Sequence, residues 1–258
     1  MKEFFGWGGY NREPEGYMSW QHLLFVSILM AIMISLAVLL GLKNKNKDLI
    51  EKNKVLIWAA ILIDSFELFK IIFICFRASD PLNWLYDLPL FLCSIQLITI
   101  PLAAFSKGRV KNIALDFVFI FGIIGAVLGT YAAGNNYSSY PVLGFDNVIS
   151  GITHSISGFS SLYIVISKMN SMEKKNIPFV CGILTLFCIL AYIANVTLDY
   201  NYMFMMRGDG TPYDIVYNIV NGNKVLYPIF VVLLFFAYIG LFYLVYNLIY
   251  NKKKKVIR

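Results

Sequence analysis

Charged residues are scarce in this chain of 258: Asp, Glu, Lys and Arg together make up 14% of it, where soluble domains carry about 25%. An ordinary soluble domain is excluded on that ground alone. Histidine is almost missing, with His22 and His154 the two present, and cysteine is limited to Cys75, Cys93, Cys181 and Cys188. No spacing among them is a zinc pattern, so neither a metal nor a cofactor is expected. The cysteines fall within or at the edges of apolar runs, and the loops read as external hold none, which excludes a disulfide framework. Each reads first as a small apolar residue. A repeat of fixed period and a low-complexity tract are also missing. So is a cleavable signal: the first apolar run starts after 20 residues, is too long for an h-region, and has more positive charge behind it than before.

What is present is apolar. Hydrophobic residues make up 59%, with 21 Phe and 17 Tyr, and mean hydropathy is +0.67. A helix crossing ~30 Å of hydrocarbon needs about 20 mostly apolar residues. Stretches at Gln21–Leu42, Val55–Phe76, Trp84–Phe105, Ile113–Ala133, Asn147–Ser167, Pro178–Tyr200 and Val225–Tyr250 qualify. The expected fold is an all-α polytopic bundle of about seven transmembrane helices, one integral membrane domain over 1–258. The net charge of +7 is topological: sixteen of the 22 basic residues follow the odd-numbered spans, from Lys43 to the Lys252–Lys255 run and Arg258. Basic loops stay cytoplasmic, which puts the N-terminus outside and the C-terminus inside. Residues 1–20, with Phe4, Phe5, Trp7, Tyr10, Tyr17 and Trp20, read as an external interfacial segment, and 251–258 as a basic cytoplasmic tail anchored on anionic lipid. Basic residues placed between apolar runs point away from nucleic acid and towards membrane lipids as partners. Lys outnumbers Arg 17 to 5 and Asn and Ile are abundant, which suggests an AT-rich bacterial genome and so the cell membrane.

Ionisable groups inside a bilayer cost a few kcal/mol each and are functional candidates by default. The second span carries Asp64, Glu67 and Lys70 within a 120° arc of helix. Glu67 and Lys70 are spaced to pair, either as a structural ion pair or as part of a site. In the third span Asp87 reads as an N-cap with Pro89 in the first turn, Cys93 two turns in and Gln96 one turn further. His154 in the fifth span is flanked by Ser150, Gly151, Ser157 and Gly158, small residues that permit close helix approach. The topology places Cys93, His154, Glu67, Lys70, Asn195 and Asp199 in one outer-half layer, the first two ~10–14 Å below the surface. One convergent polar cavity is expected there. A thiol and an imidazole are the parts of nucleophilic catalysis on an ester carbonyl, with Glu67 or another carboxylate to hold the imidazole tautomer. Arg207 and Lys70 could attract a phosphate headgroup, although interfacial anchoring is their commoner role. Two readings compete: a small transporter with an Asp64, Glu67, Lys70 and His154 ion relay, and a non-catalytic seven-span sensor. An inverted repeat and a broken helix pair, which a transporter favours, are not seen.

At these residues the chain resembles a known group. Leu88-Pro-Leu-Phe-Leu-Cys93 is similar to the "L-P-L-H-L-C" element of the YwaF-type bacterial membrane proteins and their eukaryotic relatives, the transmembrane protein 164 family. His154 after Gly-Ile-Thr, and Asn201-Tyr-Met-Phe204 before the last span, match later elements, and His22 stands where members often have a histidine. The resemblance implies a polytopic lipid enzyme. The eukaryotic relatives are acyltransferases read as using a Cys–His pair, and they are related to androgen-induced lipid hydrolases that pair Thr with His. Carried over, Cys93 is the nucleophile and His154 the base. Phe91 departs from the pattern, standing where the family usually has His.

Overall fold

The computed structural model describes residues 2–169 and 172–256, with the side chains of 250–256 left undescribed. The expected anchor Lys252–Lys255 and Arg258 therefore lies outside what can be described. Among the described residues the chain is helical, without strands, and divides into two compact units, Met1–Ser171 and Met172–Arg258.

The first unit contains α1 (Lys2–Phe5), α2 (Trp20–Asn44), α3 (Leu49–Ala78), α4 (Gln96–Phe105), α5 (Gly108–Tyr131), α6 (Gly134–Ser139) and α7 (Phe145–Ile166). Side-chain caps start the first two long helices: Ser19 accepts from the His22 amide and Asp48 from the Glu51 amide, satisfying donors that a helix start leaves orphaned. One face of α2, through Val26, Met30, Met33 and Ala37, is buried, while Leu24, Ile28, Ile32 and Leu39 on the other face are exposed. A helix apolar on every side belongs in lipid rather than on a soluble surface. The core joins α3, α4, α5 and α7 through Leu56, Ala60, Ile63, Ile100, Leu115, Val118 and Tyr163. Among the described residues, five helical segments are long and apolar enough to cross a membrane: Trp20–Asn44, Gly108–Ser139, Phe145–Ile166, Lys174–Leu198 and Leu226–Ile249.

The third expected span departs from the reading. Instead of one helix from Asp87, the chain forms a 3₁₀ turn at Asn83–Tyr86, runs irregularly to Ile95, and becomes α-helical at Gln96. Pro89 biases Leu88 away from helical backbone. The Asp87 carboxylate, expected as an N-cap, is engaged by Lys70 instead. The helix that remains, α4, has 10 residues. Its last carbonyls are satisfied from both neighbours, Asn53 donating to Ala104 O (2.7 Å) and Lys111 to Ala103 O (2.5 Å).

Residues 1–20 pack onto the ends of α3 and α7 as a strap. Phe5 meets Phe73 at 5.0 Å and Phe145 at 5.6 Å. Tyr10 donates to Asp146 Oδ2 (2.6 Å), and Glu15 Oε2 accepts from the Val142 amide (2.8 Å). The Tyr10 hydroxyl is pushed up to about 12, first by burial and then by its bond to the Asp146 carboxylate. A raised value on an acid means that the protonated phenol favours the folded strap. That contribution is complete below the ordinary phenol value of about 10 and is lost as pH climbs to about 12. Trp7 packs on Phe73. With the other tryptophans replaced by Phe, its fluorescence is expected to hold steady up to about pH 10 and change above it; a transition near neutral pH would contradict this.

The second unit contains α8 (Ile177–Leu198), α9 (Tyr213–Ile219) and α10 (Leu226–Val256). Pro178 opens α8, where its missing donor does no harm, and Asp199 ends it in the left-handed region (φ 51°).

Candidate functional site

Three glycines on α5 shape the site. A Cβ on Gly125 would stand 3.3 Å from Cys93 Cβ, and one on Gly129 would overlap the His154 ring. A Cβ on Gly122 would stand 2.7 Å from the Ser157 carbonyl. These glycines form a strip on which α7 and the Cys93 segment close, bringing thiol and imidazole onto neighbouring turns of one helix face. His154 Nδ1 lies 2.7 Å from Ser150 O. A carbonyl only accepts, so Nδ1 carries the proton and Nε2 of the neutral ring keeps its lone pair. Nε2 is sealed from solvent and makes no hydrogen bond. The Cys93 thiol and the ring lie close enough to act on each other electrostatically. The Ser94 hydroxyl and the Cys93 amide also reach the sulfur.

Gly129→Ala is therefore expected to push the ring away from the thiol. Overpacking of this kind costs about 1–3 kcal/mol. Alkylation of Cys93 by a neutral maleimide should slow at least about tenfold, the scale of one displaced interaction, while Gly125→Ala, facing a 3.3 Å gap, should slow it less. Equal rates in both variants and the parent would contradict the geometry.

The arc of three charges on α3 divides. Lys70 Nζ bridges Glu67 Oε1 (2.8 Å) and Asp87 Oδ1 (2.9 Å). Asp64 is exposed on another side, in an open groove of about 510 Å³ with Leu97, Pro101 and Phe105. The expectation that Glu67 holds the imidazole tautomer is corrected: the Ser150 carbonyl does so, and Glu67 acts on the ring through its charge. Gln96 is fully buried, its Oε1 accepting from Thr99 Oγ1 (3.1 Å) and its Nε2 without a partner. His22, also fully buried, has both nitrogens in use. Nδ1 accepts from the Met18 amide (3.2 Å), so Nε2–H donates to Thr130 O (3.0 Å). Stacked 3.8 Å from Tyr137, it ties the strap to α5 and has no lone pair left for catalysis.

The remaining expected residues belong to the second unit and are engaged there. Asn195 accepts from the Tyr202 amide (2.6 Å) and donates to Tyr202 O (3.0 Å). Asn201 donates to Arg207 O and Asp209 and accepts from the Met206 amide. Asp199 ends α8, and Arg207 Nε pairs with Asp209 Oδ1 at 2.7 Å. Asn195 and Asn201 thus brace a loop of unusual backbone, with Met203 and Phe204 both at φ 55°. Replacing Asn201 with Ala is expected to destabilise the protein by about 1–3 kcal/mol, the loss of three part-buried hydrogen bonds each worth about 0.5–1.5 kcal/mol, as read by thermal unfolding. A change under about 0.5 kcal/mol would refute the bracing role.

Sequence reasoning missed Ser94, the Ser150 carbonyl and the roles of Gly122, Gly125 and Gly129. The spacing of small residues along α5, a pattern of close helix contact, was the available signal. With this geometry in place, one comparison is decisive: residues 17–247 match the model of the TMEM164 family. The chain belongs to the TMEM164 family. No curated protein and no solved structure matches it. The TMEM164 match takes in Cys93, His154, His22 and the Asn201 loop, and leaves Tyr10 and Glu15 of the strap outside.

Proposed function

We propose that this TMEM164-family protein is a thiol-dependent acyltransferase or acyl hydrolase of membrane lipids, with Cys93 as nucleophile and His154 as base. The observation that carries the reading is the tautomer: Nδ1–H is held by the Ser150 carbonyl, which leaves the buried Nε2 lone pair unused beside a ring on which the Cys93 thiol acts. Nε2 takes the S–H proton and the sulfur attacks the ester carbonyl of a lipid. The tetrahedral intermediate collapses as the C–O bond breaks, and His154 returns its proton to the departing lipid oxygen. The acyl chain is left as a thioester on Cys93. A second lipid hydroxyl, or water, then gives its proton to Nε2, attacks the thioester, and frees the thiol. Phe91 fits this reading despite the family's usual His. Its carbonyl accepts from the amides of Ser94 and Ile95, so the backbone at this position shapes the Cys93 turn whatever the side chain.

The same reading takes α3 and the Asn83–Phe105 segment as membrane-crossing, making seven spans with the N-terminus outside and the C-terminus in the cytoplasm of a bacterial cell. Irregular backbone at membrane depth is tolerated where protein buries it. Arg207 is the candidate for contact with a phosphate headgroup. The ion-relay alternative has less support, because Lys70 is committed to Glu67 and Asp87, while Asp64 faces an open groove and reaches Glu67 only through its charge.

The direct test supplies a phospholipid with a labelled acyl chain and quenches in acid. Label is expected on Cys93, removable by hydroxylamine, and absent from Cys93→Ala. Lipid turnover that persists in Cys93→Ala would end the covalent mechanism.

A further inference from the structure

The thiol and imidazole leave one feature of the first unit unexplained, a largely buried ammonium gripped by two carboxylates. Exposure is 17% for Lys70, 13% for Glu67 and 22% for Asp87. One ammonium cannot neutralise two carboxylates, so the cluster carries a surplus negative charge where desolvation is costly. A structural bridge would need only one of the two.

Its position suggests a use. Arg77 at the end of α3 forks onto Asp146 at the start of α7 at 2.7 and 2.6 Å, which sets the register of these antiparallel helices. At 1.5 Å per residue, Lys70 lies ~10 Å below that bridge along α3, and His154 ~12 Å below it along α7. The cluster and the imidazole thus share one level, and the Glu67 charge acts on the His154 ring. The other carboxylate, Asp87, begins the irregular stretch that carries Cys93. With few helical bonds of its own, that stretch is anchored by Lys70 near one end and by the contact of Cys93 with Gly125 near the other.

We infer that Glu67, Lys70 and Asp87 are positioning residues for the Cys93–His154 pair. Lys70 ties the nucleophile's segment to α3, and the surplus charge on Glu67 answers the imidazolium that forms when Nε2 takes the thiol proton. The inference rests on the thiol chemistry proposed above. It adds that the imidazolium forms facing the cluster's surplus negative charge, while the thiolate formed with it keeps the net charge of the whole site unchanged. Of the other charged groups close by, Arg77 and Asp146 already neutralise each other, and Asp64, one turn before Glu67 on α3, also acts on it through its charge.

The experiment uses the full chain in lipid nanodiscs with Cys75, Cys181 and Cys188 replaced by Ala. It reads the alkylation rate of Cys93 by N-ethylmaleimide beside turnover of a phospholipid ester. Glu67→Gln, which can still accept from Lys70, is expected to slow alkylation about tenfold, the scale of one charge interaction at a partly screened site. It should also lower kcat with KM unchanged, while Glu67→Asp keeps most of both. Lys70→Met should lose a similar amount. Exchanging the pair, Lys70→Glu with Asp87→Lys, restores the bridge at the same net charge and should recover most of that loss. Alkylation in Glu67→Gln within twofold of the parent, or an exchanged pair no faster than Lys70→Met, overturns the inference. If Glu67→Gln does not fold, the exchanged pair decides alone. Because alkylation needs no substrate, the two readings separate. A parent without lipid turnover whose alkylation still depends on Glu67 counts against the activity alone. A parent with turnover whose alkylation ignores Glu67 counts against the positioning role alone.

Discussion

Replacing His154 with Ala is expected to lower lipid-ester turnover by about 10²–10⁴-fold, the usual contribution of a positioned general base. The loss should fall on kcat, because the ring works on the thiol proton and is not expected to bind the lipid. Two features make the effect specific. The ring is presented in one tautomer by the Ser150 carbonyl, so the nitrogen left to accept a proton is the buried Nε2. Gly129 leaves the ring its space, so His154→Ala opens a cavity rather than forcing a clash, and the fold should survive. Imidazole added to the medium can enter such a cavity and is expected to restore part of the rate. His154→Gln should behave differently: it fills much of the space, cannot take the proton, and should not respond to imidazole. Unchanged turnover in His154→Ala, with folding checked by thermal unfolding, would remove His154 from the mechanism and leave Cys93 as a packed residue.

That Cys93 and His154 lie near each other was legible because the expected bilayer limits where polar side chains can go. Few such residues were present, and topology placed these two at one depth. Their arrangement was not legible. The tautomer is held by a backbone carbonyl, and every residue type supplies one of those. Which carboxylates Lys70 takes was also hidden: Glu67 follows from helical spacing, but Asp87 depends on the chain breaking at Leu88-Pro89. The apolar run from Trp84 to Phe105 gave no sign of that break beyond the proline. Asn195 and Asp199 were expected at the same depth but are used within their own unit, because depth along a helix says nothing of the direction a side chain faces. The strap shows the reverse limit. Its aromatics read as an external interfacial segment, yet Phe5 and Trp7 pack on Phe73 and Phe145, which lie far off in sequence. The same distance hides Arg77 from Asp146.

That last pair should matter most for stability. Arg77→Met is expected to destabilise the first unit by about 3–5 kcal/mol, the cost of stranding a buried carboxylate. The bridge is bidentate, and its side chains are 16% and 10% exposed. Without Arg77, Asp146 retains the Tyr10 hydroxyl, which can bond the carboxylate but cannot neutralise it. The Phe5 carbonyl also loses its donor, so the strap loosens along with the helix ends. Asp146→Asn should cost less than Arg77→Met, because the guanidinium lies nearer the aqueous surface and can hydrate. Combining Arg77→Met with Asp146→Leu removes both charges and should cost less than the two single changes added together, since neither partner is left stranded. Thermal unfolding of the parent, Arg77→Met, Asp146→Asn, Asp146→Leu and the double variant in one detergent measures this. At about 2–4 °C per kcal/mol for a unit of this size, the Arg77→Met midpoint should fall by roughly 6–20 °C. A fall of under about 2 °C would show the bridge to be dispensable. Because the bridge also holds α3 in register with α7, Cys93 alkylation should slow in Arg77→Met even well below its melting temperature. The double variant should recover stability without recovering that rate, since an apolar pair fills the space but does not fix the register that brings Lys70 level with His154.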